Sequence, residues 1–136
     1  LSTLEVIEPL ASEGVKLNIT AVFTKGQVEH ILPTLSDSES IISVFSGRLF
    51  DVGHDAVKIT KEISALVHEQ SNCSVLWASP RMVYDIVNAC AADCDIITMQ
   101  CKLIEKLSLF KKSPEDYSID TVKMFYRDAE LSGYDF

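Results

Sequence analysis

Four short apolar runs, each followed by a stretch of helical spacing, constrain this chain most. They are VKLNITAVF (15–23), IISVF (41–45), SVLWA (74–78) and DIITM (95–99). β-Branched residues dominate them, and their near-continuous hydrophobicity predicts strands covered on both faces. Strand–helix alternation predicts a parallel sheet with right-handed crossovers. Two architectures use that pattern: an open doubly wound sheet and a (β/α)8 barrel. Four units suffice for a small open sheet and make half of a barrel, which takes about 250 residues.

The intervening helices carry their own signals. Thr24 to Leu32 opens with Thr24 and has Gln27 three residues on, a capping box. Asp55 to Gln70 repeats Ile59, Ile63, Leu66 and Val67 along one stripe. Ser79 to Ala92 starts Ser-Pro, an N-cap before a proline at the first helical position. Lys102 to Leu107 is a shorter helix. Ser118 to Leu131 is the terminal one, with Val122, Phe125, Tyr126 and Ala129 on one face and Gly133 as its stop. Ahead of the first strand, Ser2 and Glu5 predict a capping box for a helix that Pro9 kinks or shortens and Gly14 ends.

With 136 residues the chain is expected to form one domain, 1–136. Acidic residues number 20 against 12 basic, for a net charge of −8. That balance speaks against nucleic acid and anionic membranes as partners. No apolar run reaches the length of a spanning helix, and no basic stretch followed by an apolar one marks a secretory signal. A start at Leu1 reads as a cut end. Cys73, Cys90, Cys94 and Cys101 lack zinc-ligand spacing, and His30, His54 and His68 are scattered. Neither a metal nor another cofactor is expected. The cysteines read as reduced, packed residues of a cytoplasmic protein.

In both architectures ligands bind at the carboxyl ends of the strands. Asn18 and Thr20 put two polar side chains on one face of the first strand, either a barrel interior or a half-exposed surface. The second strand leads Ser43 and Phe45 into Gly47 and Arg48. Arg48 is placed in a loop, able to grip a phosphate or to pair with Asp51 or Asp55. The third strand ends in Ser79-Pro80-Arg81, a hydroxyl and a cation at an expected helix start. This is either an anion site or a plain cap with a solvated arginine. Glycine-rich phosphate loops, dinucleotide fingerprints and GxSxG elbows do not occur.

The segments GVKLNITAVFT (14–24), ISVFSGRLFDVGHD (42–55), VLWASPRMVYDI (75–86), CDIITM (94–99) and DTVKMFYRDAELSGYDF (120–136) resemble the C-terminal half of transaldolases and fructose-6-phosphate aldolase-like proteins. The resemblance implies a (β/α)8 TIM-barrel fold. This chain would carry four strand–helix units, the fifth to eighth, plus a terminal helix. It implies Schiff-base transfer of a dihydroxyacetone unit between sugar phosphates in the pentose phosphate pathway. Asn18 and Thr20 would orient that unit and the catalytic water. Ser43 and Phe45 would line the pocket, and Arg48, Ser79 and Arg81 would bind phosphate.

The family's Schiff-base lysine ends the fourth strand, upstream of this chain, so the isolated chain is expected to be inactive. Two further readings stand beside that one. The first is a non-catalytic sugar-phosphate-binding module. The second is a structural fragment that forms a homo-oligomer or pairs with the missing half barrel.

Overall fold

A computed structural model describes residues 3–133. The chain forms two compact units, residues 1–104 and 105–136. The first holds a four-stranded parallel sheet in the order β1 (Asn18–Val22), β2 (Ile41–Val44), β3 (Ser74–Trp77) and β4 (Ile96–Ile97). Helix α1 (Thr3–Ser12) precedes it. Helices α2 (Lys25–Leu35), α3 (Ser46–Asp51), α4 (Ala56–Gln70) and α5 (Asp85–Ala91) form the connections, and α6 (Cys101–Glu105) follows β4. This is the strand–helix alternation of a half (β/α)8 barrel. Among the described residues no helix is long and apolar enough to cross a membrane.

One face of the sheet makes the core. Ile42, Val44, Val75 and Trp77 are wholly buried, together with Val28 and Leu35 of α2 and Ile63 and Val67 of α4. Each such side chain contributes about 1.5–3 kcal/mol. The strand register pairs Ile42 with Val75 and Val44 with Trp77, which aligns these residues across the sheet. Ser43 and Leu76 pair on the opposite face.

The expected helix starts hold where a side chain meets the free amides. Thr24 Oγ1 accepts from Gln27 N at 3.3 Å, and Gln27 Oε1 accepts from Thr24 N at 3.0 Å. Asp55 Oδ1 caps α4 through Lys58 N at 3.0 Å. Helix α1 runs through Pro9, which does not shorten it, to Ser12, and Gly14 then turns left-handed with φ of 77° as its expected stop. Its Ser2–Glu5 capping box lies outside the described residues.

Strand β1 begins at Asn18 rather than Val15, and its register shifts between Ile19 and Val22 around Ala21, whose φ is 60°. That bulge turns Val22 into the core while Asn18 and Thr20 stay exposed. The segment after β2 is a short helix, not a loop. Finally, the helix expected from Ser79 begins at Asp85.

In the second unit, a 3₁₀ turn (Lys106–Leu109) leads to α7 (Pro114–Ser132). Ser113 caps α7 through Asp116 N at 3.0 Å, five residues ahead of the expected Ser118, and left-handed Gly133 ends it. Its apolar stripe of Val122, Phe125 and Tyr126 is exposed.

At the amino end of β4, Asp95 ties three elements. Its Oδ2 accepts from Val75 N at 2.7 Å and pairs with His68 Nε2 of α4 at 2.9 Å. Desolvation pushes the carboxyl upward, but the Val75 amide and His68 outweigh it and hold its pKa below the usual aspartate value. A carboxyl lowered by folding stabilises the native state above its unfolded pKa of about 3.9 and loses that contribution as pH falls through the folded value. Asp95→Asn is therefore expected to lower the melting temperature at pH 7. That difference should shrink as melts are repeated toward pH 3.

Candidate functional site

The carboxyl ends of β2, β3 and β4 converge on a cleft of about 350 Å³. Arg48, Ser79, Pro80, Arg81, Thr98, Met99 and Gln100 line it. Three of the residues singled out in the sequence, Arg48, Ser79 and Arg81, thus share one cavity.

Arg48 sits in α3 and its guanidinium lies 5.1 Å from the centre of the Phe45 ring. That ring is itself met edge-on by Phe23 at 5.7 Å. The stacked cation keeps an edge free for an anion. Asp51 does not take Arg48 as partner. It binds Arg81, with Arg81 Nε donating to Oδ1 at 3.0 Å and Nη2 to Oδ2. Hydrogen bonding to Asp51 raises the Arg81 pKa still further above its ordinary value.

The loop between β3 and α5 departs from the expected helix start for a definable reason. Ser79 takes a left-handed φ of 59°. The amides of Arg81 and Met82 donate to the fully buried carboxylate of Asp85, both to Oδ2, at 2.6 and 3.1 Å. Asn88 Nδ2 donates to Asp85 Oδ1 at 3.0 Å. Those backbone donors already have an internal anion, so a helix N-terminus does not build this site. Its positive charge comes from the two guanidinium groups. Main-chain packing brings the walls together: Gly47 N donates to Ala78 O at 3.2 Å, and a Cβ built on Gly47 would fall 1.6 Å from Ser79 O.

Deeper in the sheet, Ser43 Oγ donates to Asn18 Oδ1 at 2.6 Å. The pair places Asn18 and Ser43 on one face, with Ser43 buried and Asn18 exposed. Thr20 lines a different pocket, beside the β1 bulge with Gln27 and His30. The structure therefore joins Asn18 to Ser43, and Arg48 to Ser79 and Arg81, but leaves Thr20 apart from both.

Similarity to known proteins agrees with this geometry. Residues 2–133 match the sequence model of the family described as Transaldolase/Fructose-6-phosphate aldolase. The chain belongs to this family. Among curated relatives, it is 30% identical to a probable transaldolase of Carboxydothermus hydrogenoformans over 114 residues, which are 82% of this chain and 51% of that protein. A probable transaldolase of Caldicellulosiruptor saccharolyticus is 28% identical over 107 residues, 77% of this chain and 48% of its own length. One from Agathobacter rectalis is 26% identical over 125 residues, 91% of this chain and 55% of its own. This transaldolase-family chain thus spans about half the length of the curated relatives it matches.

Thr98, Gln100 and Asp85, which shape the cleft of this family member, were not singled out in the sequence, and Asp51 was read there only as a partner of Arg48. Thr98 and Gln100 enter because β4 ends at Ile97, two residues short of the expected run. Asp51 and Asp85 act by holding Arg81. The spacing of Asp85 four residues after Arg81 and three before Asn88 was the available signal.

No cysteine lines the cleft. Cys73 is buried as expected, but Cys90 and Cys101 are exposed rather than packed. Burial pushes the Cys94 thiol up to about 12, so it stays protonated at neutral pH. Among the described residues no three metal-ligating side chains gather.

Proposed function

We propose that residues 1–104 form the carboxyl-terminal half of a transaldolase-type barrel and supply the phosphate side of its active site. In that reading β1 to β4 are the fifth to eighth strands. Arg48, Ser79 and Arg81 hold the phosphate of a sugar phosphate. Phe45 and Ser43 line the pocket, and Asn18 and Thr20 orient the dihydroxyacetone unit and a water. The unit itself is carried as a Schiff base on a lysine of the fourth strand, upstream of α1. It passes from a ketose phosphate to an aldose phosphate in cytoplasmic carbohydrate metabolism. The observation that carries this reading is the convergence of two arginines and a serine on one cleft at the carboxyl ends of parallel strands.

A second observation concerns the chain by itself. A Schiff-base lysine needs desolvation or a neighbouring cation to be nucleophilic at neutral pH. None of the described lysines is buried or lines the cleft, and Lys16 is paired with Glu39. These residues therefore act as a sugar-phosphate-binding module until a lysine-bearing strand joins them.

Calorimetric titration with fructose 6-phosphate and with fructose tests both statements. Binding is expected for the phosphate ester alone. Arg48→Ala should weaken it by roughly tenfold or more, the worth of a charge-assisted hydrogen bond. Borohydride treatment should leave no adduct. Equal binding of fructose would overturn the phosphate reading, and a trapped lysine adduct would overturn the binding-only state.

A further inference from the structure

We propose that Asp51 is a positioning residue that sets the Arg81 guanidinium for an incoming phosphate. This inference rests on the anion site proposed above. Arg81 stands on an irregular loop with an exposed side chain, whose torsions would otherwise be ordered only when a ligand arrives. Asp51 removes that freedom through a side-on, two-point grip on Nε and Nη2. Both Nη1 hydrogens and the second Nη2 hydrogen remain available.

Arg81 lines the cleft, whereas Asp51 does not. The carboxylate therefore holds the guanidinium from outside the cavity instead of competing inside it. The other end of the residue is fixed as well, since Arg81 N donates to buried Asp85 at 2.6 Å. Helix α3 adds a geometric consequence. It carries Arg48 three residues before Asp51, so one short helix bears one cation and the anchor of the other.

Titration of the full chain with inorganic phosphate, followed by NMR, tests this. Asp51→Asn is expected to weaken phosphate binding roughly fivefold or more, and Asp51→Glu to recover part of the loss. In an Arg81→Ala background, Asp51→Asn should have no further effect, because Asp51 acts through Arg81. The Arg81 Nε–H resonance should be sharp in the wild type and broadened in Asp51→Asn while the other signals stay dispersed. Asp51→Ser removes the carboxylate in a second way, should the asparagine variant fail to fold.

Binding by Asp51→Asn as tight as the wild type, or tighter, would overturn the proposal by making Asp51 a repulsive neighbour. An undiminished effect in the Arg81→Ala background would overturn it too. Phosphate binding indifferent to both Arg48→Ala and Arg81→Ala would remove the anion site itself, and this inference with it.

Discussion

Gly47→Ala is expected to cost about 3 kcal/mol or more, lowering the melting temperature by roughly 10 °C. The reason is steric. The added Cβ would stand 1.6 Å from the carbonyl oxygen of Ser79 and 2.6 Å from its carbonyl carbon. Both are backbone atoms, so no side-chain rotation relieves the overlap. Ser79 is already in a left-handed conformation and cannot yield without moving Ala78 and Pro80. The variant must part the two walls of the cleft, so phosphate binding should fall together with stability. Gly26 provides the control. It lies in α2, and a Cβ added there would meet nothing within 4 Å, so Gly26→Ala should be neutral or stabilising by about 0.5–1 kcal/mol. Urea denaturation followed by circular dichroism would measure both.

Trp77→Ala is expected to cost about 3–5 kcal/mol, the range for emptying a large core site. Trp77 is wholly buried at the end of β3, with the Phe50 ring 6.0 Å away, and it fixes the strand that delivers Ser79 to the cleft. Trp77→Phe should behave very differently. The indole N–H is buried without a hydrogen-bond partner among the described residues. Phenylalanine loses some volume but also removes that unmet donor, whose burial costs about 1–3 kcal/mol. The two effects should nearly cancel, leaving a net cost of about 1 kcal/mol or less. A Trp77→Phe cost as large as that of Trp77→Ala would show that the N–H, not the volume, matters there.

The sheet was legible because its signal is composition repeated along the chain. Ile41–Val44 and Ser74–Trp77 are runs that bury a whole face, and no turn residue interrupts them. Capping was legible at Thr24, where donor and acceptor lie within one turn; the Asp55 cap emerged only from the structure. The same logic misplaced Ser79–Pro80. Ser113–Pro114 does open a helix, and Glu115 and Asp116 follow in its first turn. After Ser79–Pro80 come Arg81 and Met82, whose amides are taken by Asp85 from farther along the chain.

Helix α3 escaped notice because six residues, one of them glycine, carry too little periodicity. The partners of the cleft residues depend on contacts across tens of residues. Asn18 with Ser43 follows from the register of parallel strands and Asp51 with Arg81 from the approach of α3 to the loop after β3, neither of which a local pattern reveals. Arg48, Ser79 and Arg81 were found because each lies just beyond a recognisable strand.

In the proposed function this cleft binds the phosphate of a phosphorylated ligand. Chemical-shift mapping of the full chain during titration with fructose 6-phosphate tests it most directly. Perturbations should centre on Arg48, Ser79, Arg81, Thr98 and Gln100, be reproduced by inorganic phosphate and vanish in an Arg48→Ala/Arg81→Ala double variant. Perturbations centred instead on the cavity around Lys16 and Ser38 at the opposite end of the sheet, or unchanged in the double variant, would contradict it.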